Sequence, residues 1–455
     1  MTSTSSVATL ERRLGPLDAA AIIVSNVIGG GILITPPQIA ASVPSALLFL
    51  STWAAGGLLA FAGAIAYAEL AALRPRAGGE YVYLREAYGP LAAFLTGWTS
   101  FVAGFSGAIA ANAVFATFYV GRFLPGAGVA DPLFVLPIVP GTLQLTFSPQ
   151  TICALVLVWS FALIHLRGVG PGRLVGNILA VLKVSALVFF VALGFTFGAG
   201  DAANIVQVAP VSPTNWLLAL IPVMFAYSGW NAASYIAEEI REPGRNVPRA
   251  FALGTGAVIA LYLALNMLYL YVLPIERLAT TEGSVLDVVA DGLLGPAAGD
   301  VMAVVAIISL SASVSAMTFA GPRVYFAMAR DGLFFRSASV VHAKYRTPAV
   351  AILAQATWTS LLVLSATGDT LVNYTGFAIT LFLGIAVAAV FVLRSRQPDE
   401  ARPYRAWGYP FFPGLFVAAS AAILINALWS GPAGALASAV VMALGLPLYF
   451  WFRRG

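Results

Sequence analysis

A single cysteine, Cys153, leaves this 455-residue chain no partner for an intrachain disulfide, and its place in an apolar run reads as a small core residue. Only two histidines occur, His165 and His342, near helix ends in separate segments. No HExxH motif or other histidine-based metal set is present, and no pair of acids at catalytic spacing, which argues against a membrane-embedded enzyme. Charged residues are scarce, 9% against 60% hydrophobic, where soluble domains carry about 25%. A water-soluble fold cannot hide that much apolar surface. The formal charge of +5 does not indicate nucleic acid, because the basic residues scatter among loops instead of gathering on one face. The opening Met1–Arg13 is short and polar, without the apolar core and cleavage site of a signal peptide, so no removable segment is expected.

What is present is a series of apolar runs, each long enough for a bilayer core that takes roughly 20 residues per helix. Twelve are counted, and stretches such as Val301–Leu310 and Thr380–Leu393 do not alternate as β-barrel strands do. The prediction is an all-α polytopic membrane protein with twelve transmembrane helices. The first five fall within 17–198, the next five within 213–395 and the last two within 410–452, with short ends at 1–16 and 453–455. With a cytoplasmic N-terminus, 21 of the 24 basic residues fall on the cytoplasmic side, only Arg122, Arg277 and the intramembrane Lys183 being elsewhere. The opposite loops carry acids, among them Asp131, Asp201, Glu276, Glu282, Asp287, Asp291 and Asp300. Both termini are therefore expected in the cytoplasm.

The first span contains three consecutive glycines, Gly29, Gly30 and Gly31, each costing roughly 1 kcal/mol in a helix relative to alanine. Close helix packing is the commoner use of small residues in membranes. A second interruption at the corresponding place in the second half, Phe225-Ala226-Tyr227-Ser228-Gly229-Trp230-Asn231, shifts the reading toward two broken helices. Matched breaks in repeated halves point to a transporter site, because inverted repeats place both around one substrate. Carbonyls ending the first half-helices attract an ammonium, and amides opening the second halves attract a carboxylate. That polarity suits a zwitterionic amino acid. A channel would instead draw selectivity from rings of carbonyls or charges about an axis.

The residues around these breaks resemble the amino acid–polyamine–organocation superfamily, in particular its L-type exchangers and their bacterial relatives. Ile28 to Leu33, IGGGIL, is similar to the family's IGSGIF, and FAYSGWN followed by EEIREPGRNVPRA (Glu238 to Ala250) is similar to FAYGGWN and EE(I/L)KNPxRNIPRA. Arg323 to Leu333 and Arg402–Arg405 resemble the patterns RxxxAxARDGL and RPYRxxGYP, read as cytoplasmic packing and gating. The resemblance implies a LeuT-type five-plus-five inverted repeat with helices one and six broken, followed by two C-terminal helices. It implies that the Gly30 and Gly31 amides bind the substrate carboxylate, and that carbonyls near Ile28, Phe225 and Ala226 receive the α-ammonium. Ser25, Asn26, Gly29, Ser228 and Asn231 complete the substrate-binding set, and Tyr227 and Trp230 are gating candidates.

Lys183, in the fifth span, lies roughly nine residues from a helix end, about 13 Å deep at 1.5 Å per residue. A lysine at that depth is costly and therefore functional or firmly partnered by default. In sodium-independent members of the resembled family a lysine here takes the place of a sodium ion. Lys183 is accordingly expected to bond carbonyls between Ser25 and Ile28 and to couple site occupancy to closure. Ser309, Ser311 and Ser313 can offer oxygens to sodium, against which the lysine argues. The resulting expectation is sodium-independent transport of neutral L-amino acids of small to medium side chain, as an exchanger or proton-coupled, in the bacterial inner membrane. The alternative is another small amine or a cationic amino acid. No cofactor, metal or covalent partner subunit is expected. The family's animal members pair with a single-span glycoprotein through an outer-loop cysteine, whereas Cys153 sits in an apolar run.

Overall fold

The computed structural model describes residues 10–139, 143–295, 298–365, 368–430 and 432–454. Residues 1–9 of the expected N-terminal segment, the end of the expected ninth span at Ala366 and the terminal Gly455 lie outside them. The protein is helical almost throughout. The exception to the all-α expectation is a two-stranded antiparallel sheet, Phe134–Val139 with Leu143–Phe147, in the loop before the fourth span. Its Phe, Val, Leu, Thr and Ile content favours strand, in a segment too short for a spanning helix.

Among the described residues, nine helices are long and apolar enough to cross a membrane, and a bent pair, Pro16–Val27 with Gly31–Ser42, makes a tenth. Two further apolar helices are shorter, Pro213–Ala226 and Ala349–Ser365. The helix Val169–Phe197 shows how the sequence partitions itself: Val181, Leu182 and Phe189 stand outward, while Lys183 is fully buried. With no water in the surrounding medium, apolar side chains face outward and the ammonium must find partners inside.

The first span breaks at its glycines. Helix ends at Val27, Ile28 is extended (φ −76°, ψ 92°), and the axis turns by 49° before helix resumes at Gly31. The sixth span, expected to run from Pro213 to Ile240, is helical only to Ala226. It then turns through Gly229 at φ +100°, where a side chain is strained, forms one short turn at Ala232–Tyr235, and becomes extended at Ile240. There Leu14 pairs with it: the Leu14 amide donates to the Glu239 carbonyl at 3.0 Å and the Arg241 amide to the Leu14 carbonyl at 2.9 Å. Glu239 and Arg323, both fully buried, form an ion pair at 2.8 Å on this same face. The helix Pro243–Val272 packs along Ala46–Leu73 and the first half-helix, bringing Tyr262 to the breaks. The helix after Pro90 carries a π-turn at Ser100–Gly104, a device that often marks a functional site.

Candidate functional site

The two breaks lie against each other, although nearly two hundred residues separate them. A methyl built on Gly31 would stand 2.9 Å from the Ala226 Cα, and one on Gly229 would stand 3.1 Å from the Asn26 carbonyl oxygen. Glycine is needed at both places so that one backbone can approach the other. Around this junction a cavity is lined by Asn26, the three glycines, Phe225, Ala226 and Ser228, and walled by Phe115, Met317 and Ile379.

Three carbonyls freed where the first half-helix ends, those of Ser25, Val27 and Ile28, are engaged. Lys183, buried, donates from its Nζ to the Ser25 carbonyl at 3.2 Å and to the Ile28 carbonyl. The Ser313 hydroxyl lies 2.8 Å from the Ser25 oxygen and 2.9 Å from that of Ile28, placed to donate to either. Ser309 reaches the Ile28 oxygen at 3.3 Å. The Tyr262 hydroxyl stands 3.0 Å from the Val27 carbonyl and 3.1 Å from that of Ala226, tying the ends of both broken half-helices to one phenol. At the start of the resumed helix, the Gly30 amide donates to Asn112 Oδ1 at 3.2 Å, while Asn112 Nδ2 donates to the Ala108 carbonyl at 2.7 Å. Each bond satisfies a backbone group that would otherwise cost several kcal/mol inside a membrane.

The expected residues divide into four groups. Asn26, Gly29, Gly30, Gly31, Phe225, Ala226 and Ser228 line the cavity. Ser25 and Ile28 enter through their carbonyls. The Ser25 side chain instead borders a separate small cavity with His165 and Ser315. Tyr227 and Trp230 lie in packing and contribute to the walls of neither main cavity: Tyr227 contacts Trp53 and Tyr262, and Trp230 is edge-on to Tyr67 at 5.0 Å between ring centroids. Asn231 borders an adjoining cavity that shares Asn26, Ala108, Ser228, Met317 and Ile379 with the first.

That second cavity contains a carboxyl that sequence reasoning overlooked. Glu80 begins the helix Glu80–Tyr88, a connecting helix outside the membrane-spanning segments, and is only 5% exposed. It accepts from the Tyr235 hydroxyl at 2.7 Å and from Asn231 Nδ2 at 3.4 Å. Burial pushes its carboxyl up to about 7, against the opposing effect of these donors. Gly78 and Gly79, at φ +117° and +54°, deliver it there, since a side chain on Gly79 would collide with Tyr235 and Ser234. Tyr262 and Asn112 were also missed. Each is a polar residue on a largely apolar helix, and the only signal was that such residues in membranes face protein interior.

A helical membrane protein with two broken segments meeting at a buried cavity belongs to the class of transporters rather than enzymes. The amino acid permease family model matches residues 14–451, and the chain is a member of that family, within the amino acid–polyamine–organocation superfamily. Its relatives include the large neutral amino acids transporter small subunit 2 of Mus musculus, 30% identical over 97% of this chain and 81% of that one. The serine/threonine exchanger SteT of Bacillus subtilis (strain 168) is 28% identical over 98% of both chains. The b(0,+)-type amino acid transporter 1 of Mus musculus is 29% identical over 97% of this chain and 88% of that one.

Proposed function

We propose that this protein is a sodium-independent secondary transporter of neutral L-amino acids, working by alternating access as an exchanger or with proton coupling. In this reading twelve spans form two inverted repeats, 17–198 and 213–395, followed by two helices within 410–452, with both termini cytoplasmic in a bacterial inner membrane. The broken pair, the two shorter apolar helices and the nine long ones supply the twelve. The observation that carries the reading is the meeting of both breaks at one cavity, with Lys183 and Ser313 converging on the Ser25 and Ile28 carbonyls.

An ammonium at that position does the work a sodium ion would do in holding the half-helix end, which supports sodium independence. The substrate carboxylate is assigned to the Gly30 and Gly31 amides at the positive end of the resumed helix. The α-ammonium is assigned to carbonyls of the facing half-helix ends near Ile28, Phe225 and Ala226. Lys183 couples occupancy to closure because it connects the first break to the helix Val169–Phe197. The apolar walls Phe115, Met317 and Ile379 fit an uncharged side chain. The names of the relatives, a large neutral amino acids transporter and a serine/threonine exchanger, agree with this substrate class and with exchange.

One observation favours a second reading. Glu80 lines the adjoining cavity, where a carboxylate can receive the cationic end of a basic amino acid or other amine. Uptake and counterflow in proteoliposomes, with labelled neutral and cationic amino acids, with and without sodium or a pH gradient, test both. Saturable neutral amino acid flux without sodium supports the proposal. Flux restricted to lysine, arginine or amines supports the second reading, and no flux of any amino acid overturns the first and leaves only the amine branch of the second.

A further inference from the structure

Glu80 is set apart from the neighbouring buried and half-buried acids by its partners. Glu69 is paired with Arg394 and Arg402, Glu239 with Arg323, and Glu238 with Arg330. Among the described residues no lysine, arginine or histidine forms an ion pair with Glu80. The groups that face it are neutral: Tyr67 from the helix Ala46–Leu73, Tyr83 from its own helix, Asn231 and Tyr235 from beyond the second break, and Tyr325 from the far end of Ala298–Arg330. The ion pairs of neighbouring elements, Arg85 with Asp331 and Arg330 with Glu238, are closed on themselves. A carboxylate buried without a cation pays desolvation that uptake of a proton relieves.

The hydrogen bonds give that proton a mechanical consequence. Asn231 Nδ2 donates to the Tyr235 oxygen at 2.7 Å, and the Tyr235 hydroxyl donates to Glu80 Oε1. The Asn231 carbonyl in turn accepts from Ser234. The Asn231 and Tyr235 side chains, just after the second break, are therefore latched to the helix Glu80–Tyr88 through the carboxylate, beside a backbone tie in which the Gly78 amide donates to the Tyr235 carbonyl at 3.2 Å. A carboxylate accepts at both oxygens. A neutral acid turns one of them into a donor, which Tyr235 can meet only by turning its hydroxyl from donor to acceptor on an oxygen that already accepts from Asn231 Nδ2, so the bonds of both residues must be rearranged.

We propose that Glu80 is the proton-coupling group of this transporter, taking up and releasing one proton per cycle through the cavity it lines, and that its charge sets whether the segment 231–235 stays latched. The inference rests on the transport reading above and selects proton coupling within it. The proton passes between cavity water and a Glu80 carboxylate oxygen, and no other bond is made or broken. The tendency of burial to hold this carboxyl near neutrality places the transition within the working range.

The test is amino acid accumulation in proteoliposomes driven by an imposed pH gradient, normalised to counterflow in the same vesicles, with a trapped pH dye recording co-transported protons. The wild type is expected to accumulate several-fold more with the gradient than without. In Glu80→Gln the ratio falls to about one and the dye signal is lost. Tyr235→Phe keeps the carboxyl but removes a donor that favours its charged form, so its pH midpoint moves upward without the response disappearing. A gradient response in Glu80→Gln equal to wild type overturns the proposal. So does selective loss of cationic substrates with pH dependence unchanged, which makes Glu80 a substrate contact. A wild type with robust sodium-independent counterflow but no pH response overturns proton coupling and leaves the transport reading standing, whereas absence of all flux defeats that reading itself.

Discussion

The two breaks solve one problem in different ways. The first, from Val27 to Gly31, has three glycines and little local structure of its own, and its freed groups are satisfied from afar by Lys183, Ser309, Ser313, Tyr262 and Asn112. The second, from Ala226 to Asn231, is largely a self-contained turn: the Ser228 amide donates to the Phe225 carbonyl, that of Ala232 to Gly229, and that of Ser234 to Asn231. Its outside help is Tyr262 at the Ala226 carbonyl and Asn26 Nδ2 at the Gly229 carbonyl. A break held by distant side chains moves when those helices move. A break held by its own turn travels as a unit. The difference teaches that the first break depends on helices from distant parts of the sequence, Asn112 and Lys183 before the second break and Tyr262, Ser309 and Ser313 after it.

The comparison is broken most severely at Lys183. Lys183→Ala removes the cation shared by the Ser25 and Ile28 carbonyls, leaving Ser313 and Ser309 to satisfy both. A loss of about 1–3 kcal/mol follows from under-satisfied buried acceptors, and initial uptake is expected to fall at least tenfold while gel filtration still shows a monodisperse protein. Uptake at the wild-type rate would remove the lysine from the mechanism.

Next in size is Gly31→Ala, whose methyl must displace the Ala226 backbone from 2.9 Å. Overpacking of this kind costs about 1–3 kcal/mol, and lowered thermal stability in detergent together with reduced uptake are expected. Gly30→Ala provides the control, because its methyl meets the Phe115 ring at 3.5 Å and Asn112 Oδ1 at 3.8 Å, both ordinary contacts. Its stability should stay within about 0.5 kcal/mol of wild type, with KM raised because the methyl projects into the cavity. Equal stability losses in the two variants would show that the breaks are not in direct contact. The smallest effect is expected from Tyr262→Phe, which deletes one hydrogen bond shared between the breaks, about 1 kcal/mol. It should slow exchange more than it lowers the melting temperature.

The spans were readable in advance because desolvation acts on each segment separately: twenty apolar residues are a membrane helix whatever their neighbours. Both breaks were readable for a similar reason, since Gly29-Gly30-Gly31 and Ser228-Gly229 weaken a helix locally. Lys183 announced itself as a charge in an apolar run. The pairing of Leu14 with Ile240 was not readable, because it joins segments remote in the chain, and the strands 134–139 and 143–147 and the single turn at 232–235 are too short to declare themselves by periodicity. Trp230 and Tyr227 had the composition of cavity walls, and only packing against Tyr67, Phe416, Trp53 and Tyr262 placed them in the scaffold.

Asn112, Tyr262 and Glu80 show where local reading stops. A polar side chain in an apolar or connecting segment declares that it needs a partner, but which carbonyl or hydroxyl it meets depends on how whole helices pack. The sequence by itself determined that this chain lives in a bilayer, where its helices are interrupted, and that a buried ammonium needs oxygens. Only the tertiary structure decided that the two interruptions touch, that Lys183 and Ser313 share the same two carbonyls, and that Glu80 faces a cavity and, among the described residues, forms no ion pair. The physical reason is range: hydrophobic partition and helix propensity are properties of a segment, whereas hydrogen bonds reach about 3 Å and are settled only when distant segments are brought together.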